Sequence, residues 1–104
     1  MITIKLSKLS ADFVRREGAY LRQYSVPAAQ KFAYAIKSAK TTLQRFPESG
    51  NRMHGLTIRG GRTLVAGDYL IDYLFDGKQI EITNIRHGRT VMLTPDIDDD
   101  YDDE

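Results

Sequence analysis

The chain is expected to fold as an α+β domain: an N-terminal strand, a helical hairpin, then a three-stranded antiparallel meander with the helices packed on one sheet face. Three observations lead there. Residues 11–46 carry two helical apolar periodicities, interrupted once at Ser25-Val26-Pro27. Residues 69–75 and 80–85 alternate with period two on either side of Asp76-Gly77-Lys78, rich in β-branched and aromatic residues. A meander that follows a helical hairpin makes an antiparallel sheet with helices on one side.

The elements follow in order. Ile2, Ile4 and Leu6 fall on one side of a short first strand. Ser7 or Ser10 can cap the next helix, the hydroxyl accepting a bond from an unpaired backbone N–H. That helix is expected over about 11–24, with Phe13, Val14, Tyr20, Leu21 and Tyr24 at helical spacing. Gly18 inside it costs about 1 kcal/mol against Ala, and close approach of a second helix would be a reason to keep it. Pro27 is tolerated in a first helical turn. The second helix is expected over about 27–46, with Ala29, Phe32, Ala33, Ile36, Ala39, Leu43 and Phe46 as its apolar stripe. Pro47 ends it.

Residues 47–61 form the longest irregular stretch, with Met53, Leu56 and Ile58 as expected anchors to the body. A strand is expected over 62–66, and residues 67–89 fold back on themselves. Two tight hairpin registers are available. A loop at Asp76-Gly77 would set Asp72 opposite Glu81, a like-charge pair. A loop at Gly77-Lys78 sets Tyr73 opposite Ile82 and Asp72 opposite Thr83. It is preferred, because Gly suits the first loop position of a type II′ turn. Residues 90–94 read as a short edge strand or an extended arm.

In this reading Tyr69, Ile71, Tyr73, Phe75, Ile80 and Ile82 meet the helices. Leu70, Asp72, Leu74, Glu81, Thr83 and Ile85 occupy the other face. That face is too apolar for plain solvation. It is either a partner-binding surface or is partly covered by the first strand and the 90–94 arm.

With 104 residues the chain is a single domain, taken as 1–94, followed by an acidic tail over 95–104. The formal net charge of +1 hides an asymmetry: all 15 Lys and Arg precede Pro95, with seven acidic residues, and the tail carries the other seven. The body is thus +8 and the tail −7, which suggests a polyanionic partner for the body and a tail able to compete for it. There are no cysteines, the N-terminus does not read as a signal peptide, and no apolar run spans a membrane. A cytoplasmic protein with no membrane partner is expected. No cofactor is expected either. No Gly-rich phosphate loop joins a strand to a helix, the tail has Tyr101 at the sixth position from Asp96 where a calcium loop needs Gly, and His54 and His87 share no metal-ligand spacing.

The chain resembles the RelE/ParE superfamily of toxins from type II toxin–antitoxin modules, closer to ParE. The residues carrying the resemblance are Ala29, Phe32 and Leu43 in the helical hairpin, then Pro47 and Gly50. Gly61-Arg62, Tyr69-Leu70-Ile71-Asp72-Tyr73, Ile80-Glu81-Ile82 and Ile85-Arg86-His87-Gly88-Arg89 follow. The resemblance implies a small basic toxin neutralised by a cognate antitoxin in a hetero-oligomer. ParE members act on DNA gyrase, whereas RelE members cut messenger RNA on the ribosome. RelE-type nucleases often carry an Arg where this chain has Leu70, and end in a basic, aromatic segment. Here the only late Tyr is Tyr101, within an acidic run.

On this basis Arg59, Arg62, Arg86, His87 and Arg89 are the expected target-binding residues, gathered at the sheet rim. Leu70, Leu74 and Ile85 are the expected antitoxin contacts. If the chain were a nuclease, His87 or Glu48 would be the base, and Arg62, Arg86 and Arg89 would hold the phosphate. His87 with Arg62 and Arg86 is then the candidate catalytic set. A third reading is an inactive member that only binds an antitoxin.

Overall fold

The structure is a computed structural model, and it describes residues 2–52 and 60–88. Strand β1 (Thr3–Leu6) leads into helix α1 (Lys8–Tyr24) and helix α2 (Val26–Arg45). Strands β2 (Asn51–Arg52), β3 (Gly61–Ala66), β4 (Tyr69–Phe75) and β5 (Gln79–His87) follow. The expected α+β order holds. The sheet runs β1-β5-β4-β3-β2, antiparallel except where β1 pairs parallel with β5. The first strand is therefore an edge of the sheet and does not cover its open face.

Both helix starts are fixed by serines. The Ser7 hydroxyl accepts from the Ser10 N–H at 3.1 Å, and the Ser25 hydroxyl accepts from the Ala28 N–H at 3.2 Å. Each such cap stabilises its helix by about 1 kcal/mol. Ser25 also ends α1, its N–H donating to the Leu21 carbonyl at 2.7 Å. A single extended residue thus closes one helix and opens the next, which forces the two helices into a tight hairpin.

The core lies between the helices and one face of the sheet. Phe32, Ile36, Ala39 and Leu43 of α2 meet Ile71, Tyr73, Ile80 and Ile82, with Phe13, Val14 and Phe75 packed around them. Two expectations about helix contact fail. A Cβ on Gly18 would find only the tip of Arg22, at 3.7 Å, so that glycine is not at a helix crossing. Ala29 and Ala39 are buried, but Ala33 is exposed.

The β4–β5 hairpin has the preferred register up to one point. Phe75 faces Ile80, Leu74 faces Glu81 and Tyr73 faces Ile82. Gly77 takes φ +98° in the loop, and the Asp76 carboxylate accepts from the Lys78 and Gln79 N–H groups, both at 2.8 Å. Beyond Tyr73 the ladder shifts: Asp72 faces Asn84, not Thr83. The extra residue is a β-bulge.

The readings over residues 53–59 and 89–104 lie outside the described residues. They include the anchors Met53, Leu56 and Ile58, His54, the 90–94 strand and the acidic tail.

Candidate functional site

The bulge decides where the functional candidates point. Side chains alternate strictly along a strand, so one inserted residue reverses the faces of everything beyond it. Ile80 and Ile82 face the helices, Thr83 and Asn84 share the bulge, and from there Ile85 and His87 turn inward while Arg86 turns out. The bulge is held on both sides. The Thr83 hydroxyl donates to the Asp72 carbonyl at 3.2 Å. The start of α1 docks on the other side: Ser7 N–H and the Ser10 hydroxyl donate to the Ile82 carbonyl at 2.9 and 2.8 Å, and the Ser7 hydroxyl to the Thr83 carbonyl at 3.1 Å.

Ile85 is therefore only 2% exposed, paired with Ile71 in the core. It does not share the open face with Leu70 and Leu74, contrary to the expectation from unbroken alternation. Leu70 and Leu74 do occupy that face. Beside Leu70 lies its cross-strand partner Val65, 64% exposed.

Arg86 lies across the open face from its expected company. Its Nε and Nη2 donate to the two oxygens of Asp72 at 2.9 and 2.8 Å, a two-pronged, charge-assisted pair. Thr63 donates a third bond to that carboxylate at 2.7 Å. The Asp72 hydrogen bonds push the Arg86 guanidinium pKa up, against the opposing effect of burial. The group is a permanently charged brace that ties β3, β4 and β5 together.

His87 sits on the helix side, opposite Tyr69. Its Nε2 is 3.4 Å from Glu17 Oε2 of α1, and the same oxygen accepts from the Tyr69 hydroxyl at 2.6 Å. The His87 ring packs edge-on to Phe13 at 6.1 Å and tilted over Tyr69 at 4.9 Å. Burial, reinforced by the bond to the Glu17 carboxylate, raises the Tyr69 phenol pKa well above its ordinary value.

Arg62 is at the far end of the sheet. Its Nη1 donates to the carbonyls of Glu48 and Gly50 at 3.2 and 2.9 Å. Tyr73 fastens the same turn from inside, donating to the Pro47 carbonyl at 2.8 Å and accepting from the Gly50 N–H at 3.0 Å. Burial raises the Tyr73 phenol pKa.

Arg62, Arg86 and His87 are thus not brought together. They occupy the far end of the sheet, its open face and its helix face. Arg59 and Arg89 lie outside the described residues.

The model of the family described as "ParE toxin of type II toxin-antitoxin system, parDE" matches residues 4–92. The chain belongs to the ParE toxin family. A curated relative, Toxin RelE2 of Caulobacter vibrioides, is 35% identical over 69 residues, covering 66% of this chain and 75% of the relative. A solved structure described as the chromosomal ParDE TA system from P. aeruginosa superposes with a TM-score of 0.64. It covers 84% of this chain and 96% of that one at 21% identity, a likeness of fold.

In this ParE-family chain three partners escaped the sequence reading: Glu17 for His87, Asp72 for Arg86, and Val65 beside Leu70. The signal for Asp72 was a carboxylate in the middle of an otherwise apolar central strand, where a charge needs a partner. Glu17 and Val65 gave no such signal. A groove of about 550 Å³ also runs between α2 and β3, bounded by Lys31, Phe32, Ala35, Leu64 and Tyr69. It lies apart from both the Asp72–Arg86 pair and the Arg62 turn. Among the described residues, no helix is long and apolar enough to cross a membrane.

Proposed function

We propose that the protein is the toxin of a toxin–antitoxin pair that acts by binding DNA gyrase and blocking replication, and that a cognate antitoxin neutralises it in a hetero-oligomer. The observation that carries this reading is the Asp72–Arg86 pair. Metal-independent RNA cleavage needs a base and a phosphate clamp within reach of one substrate. Arg86 is held to Asp72 on the face opposite His87, and Arg62 is tied to backbone carbonyls. A toxin that traps an enzyme needs only a complementary surface. The exposed edge of His87, with Arg89 two residues beyond it and Arg59 before β3, remains the proposed target contact. Leu70 and Leu74, joined by Val65, form the proposed apolar contact for the antitoxin, whose neutralising segment would lie across the open face.

Regulated expression in a bacterium tests this. The expected result is loss of viable count with arrested DNA synthesis, rescued by co-expression of the antitoxin encoded beside the gene. Unimpaired growth and replication would contradict it.

One observation favours a ribosome-dependent nuclease as the second reading: Glu17 lies within reach of the His87 ring, as an orienting carboxylate would. Transcript cleavage on ribosomes by the wild type, abolished in both Glu17→Gln and His87→Ala, would establish that reading in place of the first.

A further inference from the structure

Among the described residues, the excess positive charge sits away from the strand ends. Between positions 8 and 45 the sequence has eight Lys and Arg against Asp12 and Glu17, a balance of +6. The remaining described residues carry five of each sign: Lys5, Arg52, Arg62, Lys78 and Arg86 against Glu48, Asp68, Asp72, Asp76 and Glu81. Among the described residues the sheet and its turns are therefore balanced, and the excess sits on the helical hairpin.

All eight cations of the hairpin are exposed. Its two acids do little to offset them. Glu17 is turned inward onto Tyr69. Asp12 is engaged by Lys8 and Arg15 at 3.5 and 2.6 Å. Arg16, Arg22, Lys31, Lys37, Lys40 and Arg45 make no ion pair among the described residues. They lie off the stripe of Phe32, Ile36 and Leu43 that α2 buries against the sheet, so they coat the solvent side. Exposed tyrosines stand among them. Tyr20 and Tyr24 pack on each other at 4.9 Å while 56% and 72% exposed, and Tyr34 is 71% exposed.

We infer that the solvent side of the α1–α2 hairpin is a docking surface for duplex DNA, held through its phosphates. A cationic surface on one side, with the other described residues in balance, is the electrostatic footprint of a nucleic-acid partner. Lys, Arg and Tyr side chains all donate to phosphate oxygens. The choice of DNA rests on the gyrase reading, since gyrase works on DNA and a toxin seated on it has duplex within reach. Such contacts carry orientation and affinity and little sequence preference.

The test is anisotropy titration of a labelled duplex of about 20 base pairs with the full chain, over a salt series. Each phosphate contact contributes roughly −0.9 to the slope of log K against log salt. Wild type is expected to bind with a slope of several units. The triple variant Lys37→Glu/Lys40→Glu/Arg45→Glu, all at exposed positions, is expected to bind at least about tenfold more weakly and to lose roughly 2–3 units of slope. Lys78→Glu, at the sheet turn, should shift affinity less than about twofold. Absence of salt-dependent binding, a triple variant that binds like wild type, or tighter binding of single-stranded RNA of equal length would each overturn the inference. The same proteins in a supercoiling assay separate the two claims. Full gyrase inhibition by a wild type that shows no salt-dependent DNA binding overturns the DNA surface and leaves the gyrase reading intact. DNA binding by wild type with no effect on gyrase does the reverse.

Discussion

Arg86 and Asp72 form a two-pronged pair on the open face of the sheet, with both guanidinium–carboxylate bonds below 3.0 Å. The Arg86 and Asp72 side chains are 28% and 9% exposed. Removing one partner of a fully buried pair costs roughly 3–5 kcal/mol, and the partial exposure of Arg86 reduces that. Asp72→Ala is expected to destabilise the fold by about 2–3 kcal/mol, since it strands a charge and also takes an acceptor from Thr63. Arg86→Lys, which keeps the charge and loses the fork, should cost less. Urea midpoints at constant m-value measure both.

The bulge at Thr83 makes a sharper claim. Deleting Thr83 would remove the extra residue and leave a regular ladder, with Asn84 opposite Asp72, Ile85 still inward and Arg86 still outward. An alanine inserted after Asn84 would instead turn Ile85 outward and Arg86 into the core. In the insertion variant, burying an unpaired guanidinium and exposing a core Ile together should remove cooperative unfolding or most of the stability. Thr83→Val keeps the extra residue and loses only one hydroxyl bond, so it should cost about 1 kcal/mol. An insertion variant as stable as wild type would show that the residue count through the bulge does not set the faces of β5.

Two glycines should respond oppositely to a methyl group. A Cβ at Gly50 would lie 2.8 Å from the Thr63 carbonyl oxygen and 2.9 Å from the Tyr73 ring. Neither can give way easily, so Gly50→Ala should destabilise by roughly 1–3 kcal/mol. At Gly18 the space is open, so Gly18→Ala should stabilise by about 1 kcal/mol through helix propensity. Thermal or urea unfolding of the pair distinguishes them.

Tyr69 and Tyr73 give an alkaline signature. Their folded-state phenol pKa values lie above the ordinary value near 10. Between the unfolded and folded values, the unfolded chain has lost these protons and the folded chain keeps them. Stability is therefore whole below about pH 10 and falls as pH rises above it. Spectrophotometric titration near 295 nm should show two of the six tyrosines ionising late, together with unfolding. Tyr69→Phe should flatten the loss.

Element order, the cap of the first helix, the hairpin loop and most core residues were legible because each rests on local chemistry: serine before a helix, glycine at positive φ, period-two and helical spacing. What was not legible is what one inserted residue does. Nothing in Ile82-Thr83-Asn84-Ile85 announces a bulge, because Thr and Asn suit either face. The error then propagated: Ile85 was expected outside, and Arg86 and His87 were expected to work together. The Glu17–His87 contact joins residues 70 positions apart, and no periodicity encodes it. The charge asymmetry was visible, but its address was not, since only the packed helix pair shows which cations remain unpaired.

The central claim is that this ParE-family chain acts by seizing its target and not by cutting RNA. The most direct measurement is supercoiling of relaxed plasmid by purified gyrase as purified protein is titrated in. Dose-dependent loss of supercoiling, reversed by stoichiometric antitoxin, is the expected result. Full supercoiling at every concentration, from a preparation that kills cells when expressed, would contradict the account.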